Sequence, residues 1–94
     1  ALPPEADAAL LALGAAYLAH ASTAPAGDPV ARFHLDNGAR LERLNLRADL
    51  SPKGLRQSHG LMVNYLYDLD RIESSHAKFR RGSVARSRAV SALI

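Results

Sequence analysis

The chain has 94 residues, a formal charge of +3 and no cysteine, with 48% apolar and 22% charged side chains. That makes one small domain or part of one, burying roughly 60–65% of the surface its unfolded chain would expose. The composition is too apolar for disorder, and the missing thiols exclude disulfides, thiolate metal sites and a cysteine nucleophile. The opening stretch Ala1–Asp7 has no basic segment ahead of the apolar run Ala8–Ala19. That run is 12 uncharged residues, short of the about 20 that a membrane span needs. The expectation is a soluble, cytoplasmic chain, and ten arginines against two lysines with 18 alanines suggest a high-GC bacterial source.

Charge is uneven. Residues 1–76 carry seven basic and nine acidic side chains, whereas the stretch from Ala77 onward holds five basic ones and no acid. Affinity for polyanions would reside in that basic end. With 5% aromatics and no tryptophan the chain lacks platforms for stacking bases, so no nucleic-acid partner is expected.

In chain order, Pro3 and Pro4 suit a helix start and Glu5 and Asp7 its positive end, and Leu10, Leu11, Leu13, Tyr17 and Leu18 recur at helical spacing. A helix is predicted over about 4–21, closed by the turn-forming stretch Ser22–Pro29. Val30–Leu35 and Ala39–Leu46 flank Asp36-Asn37-Gly38, and Asn-Gly supplies the positive φ angles of a tight turn, so a β-hairpin is predicted over about 30–46. In its second strand Arg40 and Glu42 alternate only incompletely with Leu41 and Leu44. Ser51-Pro52 reads as an N-cap with proline at N1, opening a short helix over about 52–59. Leu61–Tyr67 is an apolar run of strand length. Asp68 can cap a helix over about 69–80, and Ser83 or Ser87 a last one over about 84–93. The order fits the end of a larger α+β domain, with sheet edges open to pairing.

None of the four histidines, His20, His34, His59 and His76, has the spacing of a zinc site, so no metal is expected. Strand alternation would put Arg32 and His34 on one face, with Phe33 and Leu35 on the other. A histidine beside an arginine near a hairpin end suits a general acid or base, though it equally suits a half-exposed strand residue with no task. Tyr65 and Tyr67 share a strand face, and Asn64 points the other way. They could orient a polar substrate or simply pack.

Taken together, Asp28-Pro29-Val30-Ala31-Arg32-Phe33-His34-Leu35, Asn37-Gly38-Ala39, Arg43-Leu44-Asn45, Ala48-Asp49 and Gly60-Leu61-Met62-Val63-Asn64-Tyr65-Leu66-Tyr67 resemble the carboxy-terminal part of malonyl-CoA decarboxylase. The likeness runs without an evident gap over about 28–70. It implies the carboxy-terminal portion of an acetyltransferase-like (GNAT-like) α+β domain, preceded by a helical domain used in assembly, in a homo-oligomer. The implied reaction converts malonyl-CoA to acetyl-CoA and carbon dioxide with no metal or organic cofactor. The family's essential histidine falls on His34 and its active-site tyrosine on Tyr67, while its serine lies upstream of these residues. Asn64, Tyr65 and Arg32 stand as candidates for binding the substrate. The partner implied for the 94 residues is the upstream part of the same enzyme, without which they should be inactive. Leu46 replaces the family's usual tryptophan. The alternative reading is a non-catalytic binding module, or an inactive remnant, docking onto a partner chain or an acyl-CoA.

Overall fold

The structure, a computed structural model, describes residues 2–94. A single 3-10 turn over Pro4–Ala6 leads into helix α1, Asp7–Ala21, whose inner side buries Ala15 and Ala19 while Leu13 and Tyr17 stay exposed. No helix among the described residues is long and apolar enough to cross a membrane.

The first arm of the expected hairpin is instead a helix, α2, over Pro29–Asp36. The signals that make it helical lie at both ends. Asp28 accepts a hydrogen bond from the Ala31 backbone N–H at 2.9 Å, and Pro29 occupies the first turn, where its missing N–H costs nothing. At the other end Asn37 has φ −88°, which a two-residue hairpin turn with positive φ at both central positions cannot use. Of the two, only Gly38 has a positive φ, +94°. The Gly38 N–H donates to the Leu35 carbonyl at 3.2 Å and the Ala39 N–H to the His34 carbonyl at 3.1 Å, the pairing of a glycine-terminated helix. Asn-Gly therefore stops a helix here rather than turning a hairpin.

The chain then enters β1, Arg40–Asn45, which pairs antiparallel with β2, Met62–Leu66. Among the described residues the sheet thus has two strands, not three. Leu41 lies opposite Tyr65 and Leu44 opposite Val63, with a bulge between Leu41 and Arg43. The extra residue, Glu42, shifts the alternation by one, so Leu41 and Leu44 both face the core although three positions separate them. The imperfect alternation of this strand has that cause. Along the far edge of β1, Leu41 N–H donates to the Ala85 carbonyl at 2.9 Å and Ser87 N–H to the Leu41 carbonyl at 2.8 Å. The edge is covered by the basic segment, which is folded rather than a trailing tail.

Between the strands, Ser51 caps α3, Pro52–Ser58, by accepting from Gly54 N–H at 3.0 Å. After β2, α4 runs over Ile72–Arg80, later than the expected start near 69. Asp68 turns its carboxylate onto the Asp70 N–H at 3.1 Å, and Leu69 is left exposed ahead of the helix. The last helix, α5, is the single turn Arg88–Ser91, capped by Ser87. The core joins Ala15 of α1, Ala31 and Leu35 of α2, Leu41 and Leu44 of β1, Phe79 of α4 and Val84 and Val90 beyond it. Burial of α2 against β1 and α4 fixes the helix that carries His34.

Candidate active site

Because α2 is a helix, residues two apart lie about 200° apart around its axis rather than on one face. Arg32 and His34 are therefore separated. The Arg32 guanidinium donates to the Ser22 carbonyl at 2.9 Å and to the Ala24 carbonyl, and lies 5.6 Å from the centroid of the Phe79 ring. It ties the end of α1 to α2 and does not reach the histidine. The expectation that the two share a face is corrected by the change of period from two to 3.6. The same change sends Leu35 into the core and leaves Phe33 exposed.

His34 instead meets the two tyrosines. Its imidazole Nδ1 lies 2.7 Å from the Tyr67 hydroxyl. Its ring stacks on Tyr65, with centroids 4.4 Å apart and planes inclined by 22°. The Phe33 ring stands edge-on, 5.3 Å away at 80°. Val63 and Tyr65 alternate inward along β2 and are half-buried against the core, and Tyr67 follows just beyond the strand on the same side. Thirty-three residues of chain separate His34 from Tyr67, and the Leu41–Tyr65 pairing brings them together.

The Tyr65 phenol is pushed up to about 12, first by burial, then by the negative charge of Asp28 and the neighbouring Tyr67. In an unfolded chain a tyrosine ionises near pH 10. The folded state thus holds this proton more tightly, and the stabilisation present below about pH 10 is lost as pH rises to about 12. Alkaline ultraviolet titration should show a phenolate step near pH 12 that Tyr65→Phe lacks. Identical titrations of the two proteins contradict this.

Asn64 projects from the opposite side of β2, where its side-chain oxygen accepts from the Asn45 amide at 2.5 Å. It is not gathered with His34. Leu46 lines a separate cleft with Leu10, Leu55 and His59. His76 approaches the end of α2 from α4, its Nδ1 on the Asp36 carbonyl and 3.4 Å from the Asp36 carboxylate. Of the five named site residues, then, His34, Tyr65 and Tyr67 come together, and Arg32 and Asn64 lie elsewhere. Sequence reasoning does not single out Phe33. Reading the segment as a helix would place it about 100° from His34 and away from Leu35.

These elements make a small α+β domain with a half-buried histidine held by two tyrosines. The family described as malonyl-CoA decarboxylase C-terminal domain matches residues 4–94. The crystal structure of malonyl-CoA decarboxylase from Cupriavidus metallidurans superposes with a TM-score of 0.86 at 47% identity, covering 93% of this chain and 22% of that one. The corresponding structure from Agrobacterium vitis gives 0.85 at 55% identity, again covering 93% and 22%. The mitochondrial malonyl-CoA decarboxylase of Anser anser anser is 50% identical over 52 residues, which are 55% of this chain and 10% of that protein. The chain belongs to the malonyl-CoA decarboxylase C-terminal domain family. It spans about a fifth of the length of the solved relatives.

Proposed function

We propose that these residues form the carboxy-terminal part of a malonyl-CoA decarboxylase catalytic domain with an acetyltransferase-like (GNAT-like) fold, and that they supply its histidine and tyrosine. The observation that carries the reading is the 2.7 Å contact between His34 Nδ1 and the Tyr67 hydroxyl, the residues that the resemblance implies as the family's histidine and tyrosine. In the reaction, the bond between the malonyl α-carbon and its carboxylate breaks and carbon dioxide leaves. The electron pair is held as a thioester enolate until the α-carbon takes up one proton, giving acetyl-CoA.

Donors aimed at the oxygen where charge develops lower that barrier. With Nδ1–H donating to the Tyr67 oxygen, the phenolic hydrogen is free for a substrate carboxylate or thioester oxygen. The same tautomer leaves Nε2 with its lone pair, the form that accepts a hydrogen from a serine hydroxyl. Such a serine would come from upstream in the same enzyme, and His34 with that serine handles the proton destined for the α-carbon. Neither step calls on a metal or an organic cofactor. The substrate and product partners are malonyl-CoA and acetyl-CoA, and homo-oligomerisation and a cytoplasmic location in a bacterial cell belong to the same reading.

The test is acetyl-CoA formation from malonyl-CoA by the complete enzyme carrying this chain, with Tyr67→Phe alongside. The expected loss for Tyr67→Phe is about 10²-fold in turnover, as for removal of one oxyanion donor, with the fold intact. Unchanged turnover removes Tyr67 from the chemistry, and loss of folding instead of rate assigns it to packing.

A further inference from the structure

We propose that Tyr65 is a positioning residue that fixes the plane of the His34 imidazole, rather than a residue that touches the substrate. The inference rests on the reading that His34 acts in the reaction, and it adds how the ring is held.

A histidine at the end of a short helix can turn about two side-chain bonds, and one hydrogen bond at Nδ1 leaves rotation about that contact open. Here the ring face lies on Tyr65 with centroids 4.4 Å apart and planes within 22°. The platform is itself fixed. Tyr65 sits in β2 opposite the fully buried Leu41, packs against the core, and is held by the strand ladder. Phe33 closes the ring edge at 5.3 Å. With the face on Tyr65 and Nδ1 on Tyr67, the imidazole has one orientation. Nε2 makes no hydrogen bond among the described residues and is the nitrogen left to act. An aromatic face does this better than an aliphatic side chain because offset stacking prefers a parallel plane, whereas aliphatic contact has no preferred angle. Preorganisation of this kind lowers the cost of reaching the reactive geometry.

The experiment uses the complete enzyme carrying this chain, with labelled histidine, and compares Tyr65→Leu with Tyr65→Phe. For each, the nitrogen chemical shifts of the His34 ring report its tautomer, and kcat and KM for malonyl-CoA are measured. His76 and His20 serve as internal markers of folding. The proposal expects Tyr65→Leu to mix the His34 tautomers and to lower kcat at least tenfold with KM little changed, and Tyr65→Phe, which keeps the ring, to rescue both. It is overturned if Tyr65→Leu raises KM with the His34 signature intact, which makes Tyr65 a substrate contact. It is equally overturned if Tyr65→Phe disturbs His34 as much as Tyr65→Leu does, for then the hydroxyl and not the ring face is what matters. Should Tyr65→Leu disturb the marker histidines as well, Tyr65→Met, closer in volume, takes its place under the same two criteria. Mixed tautomers with full turnover retain the positioning role and refute the catalytic role of His34, so the two failures are distinguishable.

Discussion

His34→Gln in the complete enzyme is expected to lower kcat for malonyl-CoA by about 10²–10⁴-fold, the range for loss of a general acid or base. The size follows from what glutamine lacks. It can keep a hydrogen bond to the Tyr67 hydroxyl in place of the 2.7 Å contact, but it has no group that exchanges a proton near neutral pH. The fold should survive, because the helix is held by its caps and by the buried Ala31 and Leu35, and not by the half-buried His34. Circular dichroism and denaturation check that point independently. Turnover within about threefold of the parent would take His34 out of the proton transfers.

The largest stability effect is expected at Gly38. A Cβ there would lie 2.6 Å from the Ile72 carbonyl oxygen and 2.7 Å from its Cγ2, at a φ of +94°. The backbone conformation costs a non-glycine residue about 1–2 kcal/mol. Overpacking adds about 1–3 kcal/mol more, so Gly38→Ala should destabilise by about 2–5 kcal/mol. Gly82 provides the control, since it has a φ of +88° but nothing within 4 Å of where a Cβ would stand, and its alanine variant carries the backbone cost alone. Denaturant titration of the two variants separates the terms, and equal losses would contradict a clash with Ile72. Gly38→Ala should also reduce turnover in the fraction that folds, because the Ala39 N–H to His34 carbonyl bond that closes α2 depends on the glycine.

The residues of the candidate site are more legible in the chain than the fold around them. Ser51-Pro52 announces α3, and the identical logic applies at Asp28-Pro29. There it is outweighed by the β-like run Val30–Leu35 and by Asn37-Gly38. The conflict is physical: Asn-Gly serves both as a hairpin turn and as a helix stop, and only the φ of Asn37, −88°, separates the two. Burial settles it. Ala31 and Leu35 enter the core while Phe33, midway between them, is exposed, whereas a strand would send all three to one face. Glu42 marks the bulge only in hindsight, as an extra residue between two inward leucines. The meeting of His34 with Tyr65 and Tyr67 is a tertiary fact set by the β1–β2 register. No local periodicity encodes it. The resemblance to the decarboxylase family points to His34 and Tyr67 without it, whereas Arg32, which strand alternation places beside His34, turns instead to the Ser22 carbonyl once the segment is a helix.

A double-mutant cycle on turnover asks whether His34 and Tyr67 act as one unit on a malonyl thioester, as proposed. His34→Gln, Tyr67→Phe and the double variant would be assayed together in the complete enzyme, with folding checked for each. If the 2.7 Å contact is the working element, the double variant should be no slower than His34→Gln alone to within about threefold, since groups that act together are not additive. Losses that multiply would show two independent contributions and refute a shared role.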